Sequence, residues 1–170
     1  MSVLSFRLAK MTDLTKHDDS QGTEDGPKLG PGVYGVVFEL ANEISVSTGK
    51  LGQLTYAPGG YLYIGSAMGG ISGRTRGYLG VPKRPFWHID YLLPLGSTIA
   101  IVAGESHRRV ECELAREIGR EFAVIRRFGS SDCRCAGHLL HGGTIRSLLD
   151  GLTEALRAVG CRPRAVMDRT

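Results

Sequence analysis

The stretch Tyr61-Leu62-Tyr63-Ile64-Gly65-Ser66-Ala67 decides how the rest of this chain is read. It follows the turn Pro58-Gly59-Gly60, is rich in aromatic and β-branched residues, and stops at a glycine, as a short strand does. Strand side chains alternate between faces, so Tyr61 and Tyr63 lie on the same face. A strand of similar character comes earlier, at Val33-Tyr34-Gly35-Val36-Val37-Phe38-Glu39-Leu40, just after Leu29-Gly30-Pro31-Gly32. Thr98–Ala103 is apolar and β-branched and reads as a third main strand. Ile44–Ser47 and Gln53–Tyr56 are weaker strand segments on either side of Thr48-Gly49-Lys50, and Phe122–Ile125 is a short last one. Helices are expected over 70–79, over 86–93 up to Pro94, over Arg109–Arg120, and over Thr144–Val159. In the third of these, Val110, Leu114 and Ile118 form one apolar stripe; in the last, Ile145, Leu148, Leu149, Leu152 and Leu156 do so. Gly129–Gly143 reads as a loop or a loop with a helix. The sum is a small mixed α/β (α+β) domain.

Length and composition agree with that reading. The chain has 170 residues, 42% hydrophobic and 22% charged, enough for one domain with a core of its own. No run approaches a membrane span and the first thirty residues hold no apolar leader segment, so a cytoplasmic protein without a membrane partner is expected. The four cysteines then read as reduced thiols. Residues 1–28 hold four basic and five acidic side chains in a polar, turn-prone stretch, which predicts a flexible tail ahead of a domain at 29–143. Residues 144–170 read as a helix and tail packing on that domain. The formal charge is only +4, but Arg74, Arg76, Lys83 and Arg84 fall between Ser66 and His88 with no acid among them. Such a segment suits phosphate, or is simply a solvated face.

The ordered series carries more than any one motif. Gly32-Val33-Tyr34 and Tyr63-Ile64-Gly65 are followed by Gly69-Gly70, Arg74 and Tyr78, then by Trp87-His88-Ile89-Asp90-Tyr91-Leu92. Further on come Glu111-Cys112-Glu113-Leu114-Ala115 and Phe128-Gly129-Ser130-Ser131-Asp132-Cys133. Over about residues 30–141 this series resembles the GIY-YIG nuclease superfamily, and within it the domain-of-unknown-function family 123. The resemblance implies a central, mainly antiparallel three-stranded sheet flanked by helices. It also implies a divalent-metal-dependent endonuclease that hydrolyses phosphodiester bonds in DNA, in repair or processing, with a DNA-repair protein as partner. Tyr63 would be the general base supported by Tyr34, Arg74 and Tyr78 would grip the scissile phosphate, and Glu111 would hold Mg²⁺ or Mn²⁺. Arg76, Lys83 and Arg84 would add backbone contacts to the nucleic acid.

Elementary chemistry makes that assignment reasonable. Attack on a phosphodiester needs a deprotonated water, a cation for the developing charge and a positioned backbone. A phenol serves as base if nearby positive charge lowers its pKa. One carboxylate suffices for an Mg²⁺ that keeps most of its waters, and an arginine fork matches phosphate oxygens. Each residue alone has a plainer reading: strand tyrosines pack, surface arginines are solvated, and acids at a helix start favour the dipole. The alternative function is a catalytically inactive nucleic-acid-binding module of the same fold. The gap from Tyr34 to Tyr63 is much longer than the superfamily's usual hairpin, so extra structure is expected between the two motif strands.

Two further groups stand apart. His88, beside Trp87 and Ile89, reads first as a hydrogen-bonded structural residue and second as a catalytic one near the substrate. Cys133, Cys135 and His138 form C-x-C-x-x-H, to which Cys112 or His141 would add a fourth zinc ligand. The preferred reading of that segment is a polar loop in which Ser131 and Asp132 cap a following helix and the thiols pack as small hydrophobes. A Cys/His hydrolase is disfavoured, because catalytic partners usually converge from separate elements.

Overall fold

A computed structural model describes residues 28–79 and 84–170. The expected tail at 1–28 therefore lies outside the described residues except for Lys28, and so does Lys83. The elements run β1 (Gly32–Leu40), β2 (Ile44–Ser47), β3 (Gln53–Tyr56), β4 (Gly59–Ala67), α1 (Ile71–Arg76), α2 (His88–Leu92) and β5 (Ser97–Glu105). They continue with α3 (Glu111–Ile118), β6 (Ala123–Ile125), β7 (Leu139–His141), α4 (Ile145–Ala158) and β8 (Arg164–Asp168).

The fold is α+β, built on one six-stranded sheet in the order β6-β7-β4-β1-β5-β8. Every pairing in it is antiparallel. The three main strands expected from the sequence are its centre, β4-β1-β5. Nearly every residue of β1 is buried because both faces of the sheet are covered, which is why its sequence is almost continuously apolar instead of alternating. On one face lie α3 and α4. Leu148, Leu152 and Leu156 of α4 pack there with Val110, Leu114 and Ile118 against Val33, Val37, Leu62 and Ile64. Thr144 starts α4 by accepting a hydrogen bond from the Ser147 amide, while the Ser147 hydroxyl accepts one from the Thr144 amide.

The opposite face carries Tyr34, Val36, Phe38, Tyr61 and Tyr63, covered by α1, α2, Phe128 and the β2–β3 hairpin. That hairpin is the extra structure between the two motif strands. It packs Ile44, Val46 and Leu54 onto the core, and a hydrogen bond joins the buried Thr48 hydroxyl to the Tyr56 hydroxyl at 2.9 Å.

Three local expectations change. Residues 139–141, placed by sequence inside a loop or loop-helix, form β7, which bridges β4 and β6. Residues 164–168, read as tail, form the edge strand β8 on β5. Its exposed, charged residues hide the alternation that marks a half-buried strand. The helix expected over 70–79 is α-helical only to Arg76 and tightens to a 3₁₀ turn over Gly77–Leu79. Among the described residues, no helix is long and apolar enough to cross a membrane.

Candidate active site

Strand register brings the two tyrosine motifs together. Tyr34 is paired with Gly65 and Val36 with Tyr63, so Tyr34 and Tyr63 sit diagonally on one face, with ring centroids 6.5 Å apart. The glycine of Tyr63-Ile64-Gly65 has a steric reason. A Cβ on Gly65 would stand 2.4 Å from the Tyr34 hydroxyl oxygen and 2.5 Å from its Cζ. The ring of the first motif thus lies over the glycine of the second. Tyr78 arrives from the 3₁₀ turn after α1 and shares a 2.6 Å hydroxyl–hydroxyl hydrogen bond with Tyr34. The Tyr63 hydroxyl has no hydrogen-bond partner among the described residues.

The short α1 presents Arg74 to this cluster. Ile71 anchors the helix in the core, and the buried Thr75 hydroxyl donates to the Ile71 carbonyl at 2.9 Å. Arg74 also lies over the Trp87 ring, 4.7 Å from its centroid. Burial pushes the hydroxyls of Tyr34, Tyr63 and Tyr78 above the ordinary phenol pKa. The Arg74 charge pulls all three back down in part. The negative charges of Glu111 and Asp90 raise Tyr63 and Tyr78 further. The positive charge that sequence reasoning looked for is present, but burial outweighs it and Tyr63 rests as a neutral phenol.

Asp90 was not singled out as a site residue. Its Oδ2 accepts from the backbone amides of Phe86 and Trp87 at 3.0 and 2.8 Å, which fixes the start of α2. The sequence shows only an acid within the helix expected over 86–93; that it sits at the third residue of α2, a capping position, follows from the observed start at His88. His88 is tied to the fold through one ring nitrogen. Its Nδ1 accepts from the Gly129 amide at 3.0 Å and its ring meets Phe128 edge-on, while burial lowers its pKa. It holds the 128–130 segment, and Phe128 in turn packs on Tyr56 and Tyr63. Arg76 and Arg84 are exposed.

Glu111, the first residue of α3, has Oε1 2.9 Å from Nδ1 of the buried His138. The ring N–H direction misses the carboxylate, so Nδ1 is close to an acceptor yet lacks a well-formed hydrogen bond. On its other side, His138 Nε2 is 3.5 Å from the Cys133 sulfur. The expected helix after Ser131 and Asp132 does not form. The Arg127 amide bonds the Ala136 carbonyl at 2.6 Å and the His138 amide bonds the Phe128 carbonyl at 2.7 Å, closing residues 127–138 into a tight loop that leads into β7. This closure turns Cys133 and Cys135 toward Cys112 of α3. The ligand atoms of Cys112, Cys133, Cys135 and His138 all lie within 4.8 Å of one another. Burial, followed by the neighbouring thiols, pushes Cys135 up to about 12. His141 points elsewhere and stacks on Tyr61.

The structure therefore brings Tyr34, Tyr63 and Tyr78 together from β1, β4 and the turn after α1, while the charges of Arg74, Glu111 and Asp90 bear on them from α1, α3 and α2. A family model described as domain of unknown function DUF123 matches residues 33–161. No curated protein and no solved structure matches the chain.

Proposed function

The chain belongs to the DUF123 family, and we propose that it is a divalent-metal-dependent endonuclease cleaving phosphodiester bonds in DNA during repair or processing. The four unbridged cysteines suit a reducing cytoplasm. The observation that carries the reading is the Tyr63 hydroxyl, without a hydrogen-bond partner among the described residues, beside the bonded Tyr34–Tyr78 pair, with the opposite charges of Arg74 and Glu111 both bearing on it. Glu111 and Asp90 offer oxygen ligands only, which suits Mg²⁺ or Mn²⁺, and these two residues would hold it. Such an ion, when bound, offsets the negative charge that builds on phosphate.

The remaining work falls to the chain. Arg74 holds two phosphate oxygens through its planar fork, steadied against Trp87. Tyr78 and Tyr34, joined at 2.6 Å, stand as a fixed polar pair beside the phosphate. Tyr63 Oη takes the proton of the attacking water. Because burial raises its pKa, the phenolate is a small fraction at neutral pH and grows about tenfold per pH unit. Cleavage is therefore expected to climb with pH, log rate against pH having a slope of about one from pH 7 to 10. A pH profile of single-turnover cleavage checks this, and a plateau below pH 8 would remove Tyr63 from the base role.

Arg74→Ala is expected to weaken DNA binding and slow cleavage together. It should lower the slope of log affinity against log salt by about one, as loss of a phosphate contact does. Titrations at several salt concentrations measure it. Phe86 is 78% exposed and edge-on, at 4.9 Å, to Trp87, the ring that Arg74 covers. Base stacking on such a ring contributes about 1–3 kcal/mol. Phe86→Ala should thus cost affinity for flap or single-stranded DNA and leave duplex binding nearly unchanged.

The reading is tested on labelled duplex, single-stranded, flap and branched DNA incubated with Mg²⁺, with Mn²⁺ or with chelator. Cutting of at least one substrate, only with metal, is expected. The second reading, a binding module without catalysis, is favoured by the same burial that keeps the proton on Tyr63. Under it, DNA is retained in a shift assay with or without metal and stays intact.

A further inference from the structure

We propose that Cys112, Cys133, Cys135 and His138 form a structural Zn²⁺ site that ties the 127–138 loop to α3. The residues come from two separate elements, yet their ligand atoms converge within 4.8 Å. Tetrahedral Zn²⁺ with bonds of about 2.3 Å holds its sulfurs about 3.8 Å apart, so only small side-chain rotations separate this arrangement from coordination. Three sulfurs and one imidazole nitrogen are the donor set zinc favours over Mg²⁺ or Ca²⁺. Cys112 and Cys135 line an open cleft of about 440 Å³ with Arg116 and Arg134, which gives the ion a route in from solvent.

The histidine supplies an independent sign. Its ring is 1% exposed, its Nε2 faces the Cys133 sulfur, and its Nδ1 lies 2.9 Å from Glu111 with no well-formed bond. Coordination through Nε2 needs the lone pair there, which leaves the proton on Nδ1, toward the carboxylate. That is the carboxylate–histidine–zinc relay, in which an outer carboxylate orients the ligand ring. A slight turn of the ring would complete the bond that Nδ1 lacks. On binding, the three thiols give up their protons to solvent and the site carries one net negative charge, with Arg116 and Arg134 at its rim to offset it. The site stands or falls without reference to DNA cleavage.

The full chain, purified under a reductant, is expected to carry about one zinc per chain by plasma mass spectrometry. Cys112→Ser and Cys133→Ser should each lose most of it. Cys161→Ser, at a buried thiol outside the group, should keep it. Glu111→Gln should retain zinc but release it to a competing chelator at about 10–100-fold lower affinity. Because the serine variants can fail to fold, the unaltered protein is also stripped under denaturant and refolded with Co²⁺. Intense visible bands of a tetrahedral thiolate site, with sulfur-to-cobalt charge transfer, are expected and should vanish when Zn²⁺ is added. A metal-free wild type giving only the weak spectrum of hexahydrated Co²⁺ would overturn the proposal. So would a Cys133–Cys135 disulfide in the native protein, or equal zinc loss in Cys161→Ser.

Discussion

Tyr63→Phe is expected to cut the single-turnover rate of DNA cleavage by about 10²–10⁴-fold, the range a general base contributes. The substitution removes one oxygen that has no partner among the described residues and leaves the ring in its place against Phe128 and Tyr34. Stability should therefore change by less than about 1 kcal/mol, since a volume-conserving core change with no broken hydrogen bond is well tolerated. DNA affinity should stay within about twofold, because the proposed phosphate contacts come from Arg74 and the exposed Arg76 and Arg84 and not from Tyr63. Loss of rate with both melting temperature and affinity intact separates a chemical role from a packing role. The matching change at Tyr34 would not make that distinction, because it also breaks the bond to Tyr78.

The second large effect concerns the join between fold and site. Gly65→Ala places a Cβ 2.4 Å from the Tyr34 hydroxyl oxygen and 2.5 Å from Cζ. Tyr34 is only 2% exposed and has nowhere to retreat on the sheet, so strain or a displaced ring must follow. Overpacking of this kind costs about 1–3 kcal/mol, which for a chain of this size lowers the melting temperature by several degrees. Displacing the Tyr34 ring also breaks its bond to Tyr78, so cleavage should fall by about tenfold or more even below the melting transition. Gly73→Ala is the control. A Cβ there meets nothing within 4 Å, and alanine favours the helix by about 1 kcal/mol, so the melting temperature should hold or rise. Thermal melts of both variants check the contrast.

These two residues also show how much the sequence discloses. The three central strands are legible because β1, β4 and β5 are long, β-branched and flanked by glycine or proline turns. The hairpin between the motifs was visible for the same reason, in two short apolar segments around Thr48-Gly49-Lys50. β7 and β8 were not legible. One is three residues long inside a glycine- and cysteine-rich segment, and the other is an exposed edge, so tertiary pairing makes them strands where local pattern does not. Within the candidate site, the tyrosines, Arg74 and Glu111 are legible only through their order along the chain. Asp90 was missed because its backbone-capping role hides its second neighbourhood. The convergence of Cys133 and Cys135 on Cys112 is not legible, because nothing local shows that residues 127–138 fold back on α3. That closure depends on the left-handed conformation of Arg127 (φ 65°) and Gly129 (φ 71°) and on cross-loop hydrogen bonds. The buried tyrosine pKa values were equally out of reach, since charge can be counted from sequence but desolvation needs the packed core.

The most direct test of the central claim is a single-turnover experiment with flap DNA pre-bound to excess protein in chelator, followed by addition of excess Mg²⁺. The account predicts strand scission that begins only on Mg²⁺ addition, for the wild type, with Tyr63→Phe holding the same DNA uncut. DNA that remains bound and intact with the wild type, or that Tyr63→Phe cuts equally fast, would contradict it.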